Sequence, residues 1–470
     1  MKRMSTWISN ALRRGAVIGL LVAALPAQAI DLLEAYRLAL QNDPEFAAAR
    51  AQLEAGREAL AQGRALLLPI ITGSANTNIN DVDNRTQGFD RRYNSHGWSI
   101  TLTQPLFRWQ NIMQYRQAEY QVQQAEARFG QAAQDLIVRV AEAYFNALAA
   151  QDNLEFVRAN KAAIAEQLAQ AKRNFEVGTA TITDTNEAQA RYDLATAQEL
   201  AAVNEVEVTR RNLERIIGVV PDRLAPLRPD LQLAPPEPAD MNAWVEAALA
   251  GNFGVLANQA AYEIAARQVE VQRAGHYPTL DAVASYQDST SLGGGLASPT
   301  AQRQNTNAAV IGLQLNVPLF EGGSVSSRTR EAVALREAAR NNLEAARRAA
   351  EFSARQAFLN VTNGRAQVQA LEQALVSSET ALESNRVGYE VGVRINIDVL
   401  NAQQQVFQTK RDLARARYDT ILNGLRLGAA AGALSEEQVR AVNQLLLTAR
   451  PEAPAPQPGP VRLPDAAPQR

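Results

Sequence analysis

Two stretches far apart in this chain are versions of one another, and that duplication limits the fold more than any other feature. Residues 174–191 read NFEVGTATITDTNEAQAR, and residues 388–405 read GYEVGVRINIDVLNAQQQ. Val177/Val391, Gly178/Gly392, Asp184/Asp398, Ala188/Ala402 and Gln189/Gln403 all share one offset of about 214 residues, so the chain is built from two copies of one unit. In each copy a glycine follows a long helical pattern, a short segment rich in β-branched residues intervenes, and an aspartate opens the next helical pattern. Glycine after a helix and aspartate as N-cap are the chemistry of a helix-to-helix turn, with Gly178 and Gly392 at the two tips.

The first 29 residues carry Lys2, Arg3, Arg13 and Arg14 before the apolar run 16–25 and end Ala27-Gln28-Ala29, the three-part layout of a cleaved secretory leader. Its apolar run is short for a membrane span. Loss of those four basic residues takes the formal charge from −2 to −6. With no dense basic stripe and no interleaved aromatics, nucleic acid is not an expected partner. The chain has no cysteine, which excludes disulfides, thiolate metal sites and a lipid-bearing cysteine. Beyond the leader no apolar run reaches the eighteen or more residues of a membrane helix, so any insertion must use strands.

The periodicity gives the layout of the unit. A helical run over 31–63 ends at a Leu-rich breaker with Pro69. Ile71, Gly73, Ala75, Thr77 and Ile79 then alternate with polar residues, as do Trp98, Ile100 and Leu102, which predicts strands at about 70–80 and 97–105 joined by a polar loop, 81–97. A proline-free helix of about 69 residues follows, 107–175, with a heptad series through Leu136, Val140, Ala147, Ile164 and Leu168 that only Lys161 breaks. A helix from Asp184 to Ile217 closes the first repeat (30–217), and a Pro-rich linker covers 218–239. The second repeat (240–432) runs in the same order: a helix over 240–274, strands at about 279–287 and 309–317, a helix from 323 to about 387, the tip, and a helix over 398–431. The motif Leu102-x-x-Pro105-Leu106-Phe107 returns as Leu315-x-x-Pro318-Leu319-Phe320. A C-terminal segment, 433–450, precedes a Pro/Ala-rich tail, 451–470, of disordered composition.

In each repeat the two shorter helices together match the long one, which gives a rod on the order of 100 Å at 1.5 Å per residue, with strands at one end and the tip turn at the other. The expected class is therefore mainly α with a membrane β-barrel contribution. Four strands cannot close a barrel, whose minimum is about eight, so oligomerisation must supply the rest: eight strands from two copies or twelve from three. A soluble coiled coil with a small sheet cap, or a periplasmic coiled-coil adaptor without a pore, is the competing reading. The duplicated strand pair and the lack of a lipoyl-like β-domain speak against the adaptor.

The chain resembles the TolC family of outer-membrane channel-tunnels from about Leu32 to Leu447. The resemblance rests on Gly388-Tyr389-x-Val391-Gly392-x-Arg394, Asp398-Val399-Leu400-x-Ala402, Ala414-Arg415-Ala416-Arg417-Tyr418, and Leu434-Ser435 with Asn443. It implies a homotrimer with a twelve-stranded barrel in outer-membrane lipid, an α-barrel through the periplasm and an equatorial collar around the linker and the 433–450 segment. It further implies a passive exit duct for type I protein secretion, drug efflux or both, recruited by a periplasmic adaptor and an inner-membrane ABC or proton-driven pump. By motif matching, Tyr389 and Arg394 correspond to the gate-linking pair, Thr183 and Asp184 to its partners, and Asp398 to an acidic ring at the closed tip. Where family members can carry a second acid one turn beyond, this chain has Asn401. Each has an ordinary structural reading too, since Asp184 and Asp398 suit N-caps and Tyr389 continues the heptad. His96 and His276 are the only histidines and lie near no second acid or nucleophile, and Gly293-Gly294-Gly295 lacks the lysine of a phosphate loop, so neither catalysis nor a cofactor or metal is expected.

Overall fold

The computed structural model describes residues 29–85, 88–179, 181–292 and 302–447. The expected leader (apart from Ala29), the glycine run 293–295 and the tail 451–470 lie outside these. In chain order the elements are α1 (Leu32–Asn42), α2 (Pro44–Ala65), β1 (Ile70–Asn84), β2 (Phe89–Phe107), α3 (Trp109–Glu176) and α4 (Ile182–Ile217). The second repeat supplies α5 (Met241–Gly251), α6 (Phe253–Arg273), β3 (Thr279–Leu292), β4 (Arg303–Asn316), α7 (Ser324–Glu390) and α8 (Asn396–Ala430), and α9 (Glu436–Asn443) closes the described chain.

The duplication holds in three dimensions: α3 and α7 have 68 and 67 residues, α4 and α8 have 36 and 35. Two boundaries differ from the periodic reading. The first helix is divided at Asp43, whose carboxylate accepts the Phe46 N–H at 3.1 Å while Pro44 takes the N1 position. Proline costs nothing there, because an N1 amide has no helical partner. The corresponding helix of the second repeat is divided at Asn252, which caps Gly254 and Val255.

The strands are also longer than the apolar alternation indicates, and most of the expected loop 81–97 is ladder. Asp81 faces Arg92 and Asn80 donates to Ser95 Oγ at 2.9 Å, while Asn94 donates to Thr77 Oγ1 at 2.9 Å. Cross-strand pairing of this kind compensates for the weak strand propensity of Asn and Asp. The sheet is antiparallel in the order β1-β2-β3-β4. Its register sorts the faces: Ile71, Leu102, Ala284 and Ile311 lie in one row and Gly73, Ile100, Tyr286 and Ala309 in the next, on one side. On the other side Ser74, Ser99 and Gln287 lie in a row, and the two serines share a hydrogen bond of 2.8 Å. The apolar face is open, with Ile311 88% and Leu313 69% exposed.

The helices continue the same order. Next to the sheet α2, α3, α6 and α7 stand side by side; beyond the equator the sequence is α4, α3, α8, α7. The main core sits at the equator, where Leu32, Leu136, Tyr144, Phe145, Leu148, Leu213, Ile217, Leu422 and Leu446 are buried together. The Tyr144 hydroxyl lies 3.0 Å from the carbonyls of Ile30 and Ala225 and accepts the Ala225 N–H at 3.1 Å, which ties the Pro-rich linker to α3. Lys161, the break in the heptad series, pairs with Glu199 of α4 at 2.9 Å.

An ion pair braces the sheet against the rod. Phe107 ends β2 across a bulge at Leu106, and Arg108, the α3 N-cap residue, donates from Nε and Nη2 to the Asp281 carboxylate of β3 at 2.8 and 2.6 Å. Asp281 is buried, and a buried carboxylate left without its partner is costly. Arg108→Ala is therefore expected to lower stability by about 1–3 kcal/mol, discounted for the partly exposed guanidinium. Pairing Arg108→Met with Asp281→Leu should restore most of the loss, as read by denaturant unfolding in detergent; an unchanged midpoint in the single variant would remove the brace.

Candidate functional site at the hairpin tips

Both tip turns are built by the same hydrogen bonds. In the first, Gly178 (φ 78°) donates to Phe175 O at 3.0 Å and Thr179 N–H to Asn174 O at 2.8 Å. In the second, Gly392 (φ 79°) donates to Tyr389 O at 3.1 Å and Val393 N–H to Gly388 O at 2.9 Å. This is the double closure that satisfies the last helical carbonyls, and it needs a left-handed residue at the glycine. Gly388 has a separate role: a Cβ there would meet Arg394 Cγ at 2.7 Å, so its bare backbone gives the Arg394 stem its place.

The next helices begin differently in the two copies, and neither aspartate is the N-cap. α4 is capped by Thr181, and Asp184 stands at the third helical position in a reciprocal capping box: Asp184 N–H donates to Thr181 Oγ1 at 3.2 Å, and Thr181 N–H donates to Asp184 Oδ2 at 3.0 Å. In α8 the N-cap is Ile395, which has no hydroxyl to offer. Asp398 is again third, but its carboxylate faces Arg394 at 3.7 Å. In α4 the hydroxyl of Thr181 takes the capping role expected of the aspartate, whereas the start of α8 has no side-chain cap.

The gate residues therefore have these partners within one chain. The Tyr389 hydroxyl accepts from Asn174 Nδ2 at 3.3 Å. Arg394 pairs with Asp398, Asp184 with Thr181, and Thr183 is exposed. Among the described residues no hydrogen bond or ion pair joins Thr183 or Asp184 to Tyr389 or Arg394. Asn401 accepts from Arg191 Nη2 at 3.0 Å, and Gln404 from Nη1 of the same guanidinium at 2.6 Å. At the same level Gln167 of α3 donates to buried Gln403 at 2.8 Å. Asn174 and Arg191 carry no motif in the sequence, and Gln403 stands out there only as the repeat partner of Gln189; the amide at 401, where an acid is usual, is the signal nearest to them.

A sheet with an open apolar face on a helical rod of this length defines a channel that inserts by strands and reaches away from its membrane as a tunnel. The chain belongs to the outer membrane efflux protein family, whose model matches residues 35–219 and 244–433. It is 37% identical to the alkaline protease secretion protein AprF of Pseudomonas aeruginosa, covering 94% of this chain and 91% of the relative. It is 35% identical to the outer membrane protein TolC of Vibrio cholerae (93% and 98% covered) and 31% identical to TolC of Escherichia coli (92% and 88%). The fold matches the outer membrane protein VceC of Vibrio cholerae at a TM-score of 0.72 and 21% identity, covering 85% of this chain and 96% of that one. The CmeC channel of Campylobacter jejuni gives 0.74 at 17% identity, with 88% and 89% covered. The protein is thus an outer-membrane exit duct with a periplasmic helical tunnel, in a family of transport proteins. Channels of this family are trimeric and work with adaptor and inner-membrane pump partners.

Asp184→Ala removes one half of the α4 capping box. It should weaken the helix start by less than the about 0.5–2 kcal/mol that loss of an N-cap residue costs and raise amide exchange at residues 182–186 without affecting the first turn of α8. Unchanged exchange there would show that the box does not hold the turn.

Proposed function

We propose that three copies of this chain close edge to edge into a twelve-stranded barrel and a helical tunnel that conducts exported polypeptide. The observation that carries this reading is that every layer is an open strip with the same two borders. β1, α2 and α4 form one border, β4 and α7 the other. Both borders carry uncovered apolar side chains, including Leu200 on α4 and Phe352 and Leu359 on α7. In lipid an unpaired strand edge leaves each backbone group unsatisfied, so the strip must close, and a partner with the same borders closes it at all levels together. The protease secretion relative supports polypeptide as cargo, and the partners proposed are an adaptor and an inner-membrane pump of the type I kind, with outer-membrane lipid around the barrel.

The gate follows from the same closure. Since Thr183 and Asp184 do not reach Tyr389 and Arg394 within one chain, their link belongs to the α4/α7 seam between protomers, or forms when the tips draw together. Asp398, freed from capping, is then the constriction carboxylate, and Asn401 lies one turn further up α8.

Native mass measurement in detergent is expected to give a trimer; a stable monomer, or a dimer retaining full strand content, would count against ring closure. For cargo, co-expression with a type I pump, its adaptor and their protein substrate, in cells lacking their own duct, should restore secretion. For the gate, Tyr389→Phe should raise single-channel conductance in planar bilayers, and adding Arg394→Ser should raise it again, with the trimer intact. Each exposed ion pair is worth about 0.2–1 kcal/mol, so threefold repetition gives roughly 1–3 kcal/mol for the closed state. A double variant conducting like the parent would remove these residues from the gate.

A further inference from the structure

We infer that Arg191 is a latch that positions the inner helix α8 against the first hairpin in the closed tip, a role separate from the Tyr389 and Arg394 set. This rests on the exit-duct reading. α4 and α8 belong to different repeats, and the Arg191 guanidinium joins them: Nη1 donates to Gln404 Oε1 at 2.6 Å and Nη2 to Asn401 Oδ1 at 3.0 Å. Asn401 and Gln404 are three residues apart and so stand on one face of α8, one turn apart. A planar guanidinium with two N–H donors pointing the same way fits that spacing, whereas a lysine ammonium would satisfy it only as a point charge. Arg191 also stands next to Tyr192, which packs with Ile164, Ala195, Ile397 and Leu400 where the two hairpins meet. The fork therefore lies at the last apolar contact between the hairpins; nearer the tip, Asn174 and Tyr389 supply a single bond between α3 and α7.

Both acceptors are neutral, and this distinguishes the latch from an ion-pair gate. The guanidinium charge is not cancelled by Asn401 or Gln404, and neither amide titrates. Asn401 thus has an assigned task that an acid ring would not give it: it is the acceptor that holds α8, one turn from the carboxylate of Asp398.

The test is planar-bilayer conductance with native mass measured on the same detergent preparations. Arg191→Ala is expected to raise conductance about two- to tenfold, as loss of the exposed two-bond fork in each subunit shifts the closed–open equilibrium. Asn401→Ala with Gln404→Ala should do the same, and the triple variant should be no more open than Arg191→Ala. Arg191→Lys should fall between parent and alanine. Asn401→Asp gives the opposite sign: an ionised acceptor strengthens the fork and lowers conductance, whereas a second acidic ring acting by mutual repulsion would raise it. Trimers of Arg191→Ala that conduct like the parent, additive effects in the triple variant, or a rise in Asn401→Asp would each overturn the latch. Failure of the parent itself to form a conducting trimer would instead overturn the exit-duct reading.

Discussion

The requirement on which the rest of this structure depends is that strand edges in lipid be paired. β1 and β4 each present a row of backbone N–H and C=O groups with no partner strand among the described residues, and hydrocarbon offers none. Water could satisfy such an edge; lipid cannot. The same demand explains the helical layers beneath, since α7 borders the strip both above and below the equator, and its neighbours across the seam must match a border that begins as a strand and continues as helix. The heptad seam of α3 carries alanine at Ala143, Ala147, Ala150 and Ala171. Small side chains let adjacent rods approach closely while the ring stays wide.

Along the rod the interactions that hold the two hairpins together change in kind. At the equator α8 is seated by burial: Tyr418, Ile421, Leu422 and Leu425 share one core with Phe145 and Leu148 of α3. The Tyr418 hydroxyl donates to Asp152 at 2.6 Å, and burial pushes the Asp152 carboxyl up from its ordinary value. Further down the contact narrows to Ile164, Ala195 and Leu400, with the Gln167–Gln403 bond and the Arg191 fork beside them, and nearer the tip it consists of an amide and a phenol, Asn174 and Tyr389. Apolar burial is lost only by exposing area, but an exposed hydrogen bond exchanges readily with water. A rod fastened in this way is fixed at its root and releasable at its end, which is the mechanical requirement for a tunnel that opens at the periplasmic mouth.

Much of this was legible in the sequence because it is governed by local chemistry. Gly178 and Gly392 mark the turns since glycine takes a positive φ there at no steric cost, and the alternation around Ile100 and Ile311 follows from a sheet with one apolar face. What periodicity missed was set by partners. Residues 81–97 read as loop because polar residues carry no apolar period, yet Asp81 and Arg92 face each other in the ladder. Asp43-Pro44 reads as continuous helix on hydrophobic spacing, although proline at N1 is itself a start signal. Arg191 could not be found by motif, since its acceptors lie about 210 residues away and are ordinary amides.

The two tips show how a duplication becomes a device. Both copies keep the glycine turn and an acid at the third helical position, so the turn itself has one design. The copies separate at the N-cap: Thr181 binds the Asp184 carboxylate by its hydroxyl and N–H, while Ile395 offers no hydroxyl. One substitution of a polar cap by an apolar residue gives up the stabilisation of a capped helix start, which for a threonine is about 0.5–2 kcal/mol. In exchange it leaves Asp398 uncommitted to its own backbone, within reach of Arg394 from the same turn and of whatever approaches along the axis. The helix start at the first tip is thereby capped by a side chain and that at the second is not. That division agrees with α8, rather than α4, carrying the acceptors of the Arg191 fork, since the helix whose own start is least secured is the one that must be held from outside.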